Sequence, residues 1–104
     1  MDDSSLRAVR PIPVAGDTPN ARRFLDPEGR LRIYPSKRKD RLLVLAWLAR
    51  HFEHDVEYTE KEVNARLNEL HTFGDWALLR RELFDERFLD RDPDGTRYRR
   101  RRVA

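Results

Sequence analysis

The feature that most constrains this chain is the run Tyr58-Thr59-Glu60-Lys61-Glu62-Val63. A threonine followed three residues later by a glutamate is a capping box, in which the Thr59 hydroxyl takes the Glu62 amide and the Glu62 carboxylate reaches back to the Thr59 amide. Tyr58 and Val63 stand where a hydrophobic staple places its pair, so the angle at which the chain meets the helix is specified together with its start. Val63, Leu67 and Leu70 continue one apolar stripe, which predicts a helix from Thr59 to about Leu70.

The remaining elements are placed around that helix. Upstream, Pro35 is a stop and Ser36 can cap a helix running to about Phe52, with Leu42, Leu45, Ala46, Ala49 and Phe52 along one stripe and Leu43, Trp47 and Leu48 widening it. Val56 to Tyr58 reads as a short extended stretch. Downstream, His71-Thr72-Phe73-Gly74 breaks the helical pattern, and Asp75 can cap a third helix that reaches Glu86 or Phe88, with Trp76, Leu79 and Leu83 on its inner side. Two proline–glycine turns complete the pattern. Pro27-Glu28-Gly29 lies between Arg23–Asp26 and Arg30–Tyr34, and Asp92-Pro93-Asp94-Gly95 between Phe88–Arg91 and Thr96–Arg100; each reads as a β-hairpin. This order predicts an α+β winged helix, a three-helix core with a C-terminal β-hairpin wing, preceded by an N-terminal β-hairpin. Pro11, Pro13, Pro19 and Gly16 make residues 1–21 a flexible arm, so the domain is expected over 22–104.

Charged residues make up 39% of the chain against 38% hydrophobic, a balance that raises the question of disorder. The apolar residues answer it by clustering between Phe24 and Tyr98 at spacings that helices and hairpins can bury. There is no cysteine, which excludes disulfides, thiolate metal sites and cysteine nucleophiles and suits a reducing cytoplasm. No apolar run approaches membrane-spanning length, and Asp2 and Asp3 do not suit a secretory signal, so a cytoplasmic protein with no membrane partner is expected. The sequence holds no serine elbow, phosphate-binding glycine loop or catalytic metal motif; the expectation is a non-enzyme without cofactor. His51 and His54, beside Asp55 and Glu57, could form a surface metal site, but in so charged a chain they read better as exposed residues at a helix end. His71 reads as a structural residue that bonds a free carbonyl or caps against Asp75.

Phe24-Leu25-Asp26 with Gly29-Arg30-Leu31, Pro35 and Lys37 before the leucine-rich helix, Tyr58-Thr59-Glu60 with Glu62-Val63-Asn64, and His71 followed by Leu79-Arg80-Arg81-Glu82-Leu83, Gly95 and Tyr98 together resemble the bacterial domain of unknown function 2087 family. The resemblance spans nearly the whole expected domain. It implies a winged-helix-like fold, in a family whose members often follow a regulator-type helix-turn-helix domain and otherwise stand alone; the stand-alone form is expected here. The chain departs from the family pattern at Thr72-Phe73-Gly74, which reads as a longer or more flexible linker before the third helix.

Charge is segregated along the chain. Residues 1–52 hold eleven bases and six acids, residues 53–94 six bases and thirteen acids, and residues 95–104 five arginines and no acid. Arg97, Arg99, Arg100, Arg101 and Arg102, with Tyr98, form a basic strand that could follow a phosphate backbone. Lys37, Arg38, Lys39 and Arg41 open the first helix, where cations oppose the helix dipole; phosphate contact would give them a reason, and neutralisation by Asp26, Glu28 or Asp40 is the alternative. Arg80 and Arg81 lie on the helix in the recognition position and could read guanine edges, or pair instead with Glu82, Asp85, Glu86 or acids of the second helix. The expected role is a module that binds double-stranded DNA, of the kind found in transcriptional regulators. The alternative is a protein-interaction or homodimerisation module.

Overall fold

The computed structural model describes residues 21–101. The expected arm, apart from Ala21, and Arg102 of the predicted site lie outside that range. Ala21 is buried, so the packed domain reaches at least one residue before Arg22.

After a 3-10 turn at Arg22–Phe24 come α1 (Arg38–Ala49), β1 (Glu57–Thr59), α2 (Glu60–Leu70), α3 (Trp76–Asp85), β2 (Leu89–Arg91) and β3 (Arg97–Arg100). The strands form one antiparallel sheet in the order β1-β3-β2. The C-terminal hairpin therefore inserts its second strand between β1 and β2, with Glu57 opposite Arg99 and Asp90 opposite Arg99 from the other side. The fold is α+β and winged-helix-like, as the order of sequence signals implied.

The capping box is present in full. The Glu62 amide donates to Thr59 Oγ1 at 3.1 Å and the Thr59 amide donates to Glu62 Oε1 at 2.8 Å. Tyr58 and Val63, the staple pair, are both buried. One residue of each helix, Leu45, Leu67 and Leu83, is fully buried in a single core that Leu31, Leu89 and Tyr98 complete from the loops and the wing.

The junction between α2 and α3 is organised by His71. Its Nδ1 lies 2.6 Å from the Leu67 carbonyl and its Nε2 2.9 Å from the Asp75 amide. A nitrogen facing a carbonyl must carry the hydrogen, so Nδ1–H donates and Nε2 accepts. Gly74, at φ +71°, allows the reversal between the two helices. Asp75 then accepts the Leu78 amide at 3.2 Å and caps α3. The linker is thus spanned by one side chain, and α3 begins where its cap predicts.

Three local features differ from the sequence reading. Ser36 does not cap α1: the backbone stays extended through Lys37, which occupies the cap position and has no side-chain acceptor to offer. The innermost face of α1 is Val44, Leu45, Trp47, Leu48 and Ala49, while Leu42, Leu43 and Ala46 are only half-buried. Apolar residues occur on every side of that helix, so periodicity alone could not rank them. The N-terminal hairpin is reduced to a single bridge between Leu25 and Leu31, and on its other edge the backbone N–H and C=O of Leu31 bond to Leu70 and Thr72, at 2.8 and 2.9 Å. It acts as a clip that ties the N-terminal segment to the end of α2.

Candidate nucleic-acid interface

The basic strand is not a bare strip of charge. Residues alternate faces along a strand, so Tyr98 is buried while Arg97 and Arg99 lie on the sheet's outer face. There Arg99 donates to Glu57 of β1 at 2.9 Å and to Asp92 at 3.2 Å, and Arg101 donates to Asp90 at 2.8 Å. Arg99 holds the Glu57 carboxyl below the usual carboxylate range, through their hydrogen bond first and their charges second. Arg100 points to the other side and donates to the Phe52 carbonyl at 3.2 Å. Arg97 makes no ion pair among the described residues. At the wing tip the Asp94 carboxylate accepts the Thr96 amide and hydroxyl, which depresses its pKa and fixes the turn before Gly95.

At the start of α1 the four predicted cations divide. Arg38 makes a two-pronged ion pair with Glu86, the C-cap of α3, at 2.8 and 2.9 Å, and Arg41 donates to the Ser36 carbonyl. Lys37 and Lys39 are exposed, have no acid partner among the described residues, and line an open depression of about 420 Å³ with Arg23, Asp40 and Leu43. Arg23 is paired to Asp40 at 2.6 Å. Beside them, the Tyr34 hydroxyl donates to Glu82 at 2.8 Å. Burial, then this bond, raise the phenol's pKa above the ordinary tyrosine value.

On α3 the double arginine splits by helix geometry. Arg80 turns back to α2, donating to Asn64 at 2.6 Å and pairing with Glu60 at 3.0 Å, with its guanidinium over the Trp76 ring. Arg81 lies on the exposed face with Ala77 and Asp85 and makes no ion pair among the described residues. Among the predicted contacts, then, Lys37, Lys39, Arg81 and Arg97 make no ion pair among the described residues, while Arg38, Arg41, Arg80, Arg99, Arg100 and Arg101 are engaged. Exposed pairs such as Arg101–Asp90 hold their geometry by about 0–1 kcal/mol, weak enough for a phosphate to compete.

One cation of the wing was passed over in the sequence. Arg91, between Asp90 and Asp92, is not among the sequence candidates, and its guanidinium lies 4.2 Å from the centre of the Phe84 ring. Strand alternation is the signal that separates it from its neighbours. His51 also differs from expectation: it is buried rather than exposed, stacked edge-on against Trp47 with its Nδ1 2.9 Å from the Trp47 carbonyl. Among the described residues no group of three or more His, Cys, Asp or Glu is placed to hold a metal ion, and no helix is long and apolar enough to cross a membrane.

In comparisons with known proteins, the family described as "uncharacterized protein conserved in bacteria (DUF2087)" matches residues 30–100. No curated protein and no solved structure matches the chain.

Proposed function

We propose that this chain, which belongs to the bacterial DUF2087 family, is a DNA-binding module that acts in transcription regulation in the cytoplasm, without catalysis, cofactor or metal. In this reading α3 lies along the groove of a duplex with Arg81 toward the base edges, and Lys37, Lys39 and Arg97 hold flanking phosphates. The observation that carries it is Arg81. In a chain that ties its neighbour Arg80 down to α2, Arg81 is left exposed on the helix in the recognition position, making no ion pair among the described residues although Asp85 shares its face. The uncapped start of α1 adds free amides beside Lys37 and Lys39, an arrangement favourable to a phosphate.

The ion-paired outer face of the wing would also suit a protein partner, which is the second reading. It lacks an apolar anchor of the kind that stable protein interfaces use. Among the described residues the exposed large hydrophobic side chain is Ile33, at 47%.

Electrophoretic mobility shifts with mixed duplexes at two salt concentrations test the proposal. Retarded complexes that weaken as salt rises are expected, and an absence of binding to any duplex at low salt would exclude it.

A further inference from the structure

The two faces of the wing carry different charge, and the difference follows from strand register. Asp90 and Asp92 turn to the outer face, where Arg101 and Arg99 occupy them. Arg91, between them, points the opposite way, toward α3. It is exposed, makes no ion pair among the described residues, and rests its guanidinium on Phe84 at 4.2 Å from the ring centre. Phe84 follows Arg81 by three residues on α3, and residues three apart are neighbours on a helix surface. Asp85, beside Phe84, does not pair with Arg91.

We infer that Arg91 is a phosphate-binding residue for duplex DNA, positioned by Phe84, and that the contact surface extends from Arg97 at the start of β3 into the seam between α3 and the wing, without the ion-paired Arg99. The inference rests on the DNA-binding reading and assigns its geometry. A guanidinium stacked on an aromatic face keeps its edge donors free while losing much of its rotational freedom, so it meets a phosphate already oriented. The arginines of the outer face face a different balance. For Arg99 to contact a phosphate it must leave both Glu57 and Asp92, two carboxylates that would then stand next to the anion.

Fluorescence anisotropy with a labelled duplex over a range of salt concentrations tests this, comparing the wild type with Arg91→Ala, Arg91→Lys, Phe84→Leu and Arg99→Ala. Arg91→Ala should weaken binding to all duplexes alike and reduce the slope of log affinity against log salt by about 0.9, the amount of one lost phosphate contact. Arg91→Lys should keep the slope, because the charge remains. Phe84→Leu should weaken binding with the slope retained, and Arg99→Ala should leave the slope unchanged. Thermal melts of each variant identify any that loses its fold, and Arg91→Ala, at an exposed position, provides the reading if Phe84→Leu does not fold. A wild-type slope in Arg91→Ala, with DNA still bound, overturns this inference and leaves the DNA-binding reading intact. A slope lowered by Arg99→Ala but not by Arg91→Ala moves the contact to the outer face and overturns it as well. If the wild type binds no duplex, both fail together.

Discussion

At the scale of single residues, polar groups held at fixed distances decide where elements begin. Thr59 is the clearest case, since both bonds of its capping box are formed. Thr59→Ala is expected to cost about 1 kcal/mol, and coincident thermal melts of the variant and the wild type would contradict that. His51 gives a prediction about pH. Burial holds its imidazole below the usual histidine range; the bonds to the Trp47 and Leu48 carbonyls oppose this, and the nearby Arg66 charge adds to it. The folded protein therefore keeps His51 neutral at pH values where the unfolded chain protonates it. Stability is fully present above about pH 6.5, the ordinary histidine value, and declines as pH falls through that value toward the lower folded one. Melting temperatures between pH 8 and pH 5 should fall for the wild type and fall less for His51→Leu. Parallel profiles would mean that the pH dependence originates elsewhere.

At the scale of elements, the sequence was most legible where a side chain announces a helix start and least where the backbone alone makes an end. Asp75 and Thr59 are both read directly from residue type and spacing. The end of α3 is different. The Arg87 amide bonds the Phe84 carbonyl at 3.1 Å and the Phe88 amide bonds the Leu83 carbonyl at 2.8 Å, the paired bonds of a Schellman motif. Arg87 takes the left-handed position, at φ +68°, that glycine usually fills. Without a glycine the stop was invisible, which is why the sequence left the end open between Glu86 and Phe88. Because the left-handed conformation is unfavourable for a residue with Cβ by roughly 1–2 kcal/mol, and glycine gives back part of that in unfolded-chain entropy, Arg87→Gly should raise stability by about 0.5–1 kcal/mol. A lower denaturation midpoint in that variant would show that the Arg87 side chain contributes more than its backbone strain costs. The N-terminal hairpin was legible as a turn but not in extent, since nothing local reveals that Leu31 bonds to residues about 40 positions away. The same holds for the candidate site. The arginine run is plain in the sequence, whereas its pairing with Glu57 depends on a register between β1 and β3 that only the folded sheet sets.

At the scale of the whole molecule, the three helices and the wing share one core, so stability should be lost cooperatively. Leu45, Leu67 and Leu83 are each fully buried, and replacing any one by alanine should cost roughly 2–5 kcal/mol. A cooperative melt at the wild-type temperature would place that residue outside the core. The charge pattern also acquires meaning at this scale. The acids of residues 53–94 are distributed against the arginines of the wing and the first helix, as in Glu57–Arg99, Asp90–Arg101 and Glu86–Arg38. Among the described cations that make no ion pair are Lys37 and Lys39 at the start of α1, Arg81 on α3, and Arg91 and Arg97 on the wing. The measurement that tests this account most directly is the salt dependence of duplex binding by the wild type and by a variant with Lys37, Lys39 and Arg97 all changed to glutamine. The account predicts that the wild type binds at low salt with affinity falling as salt rises. It also predicts a slope shallower by about 0.9 per lost contact in the variant, or up to ~2.7 in all. Identical slopes in the two proteins, or no binding by the wild type at low salt, would contradict it.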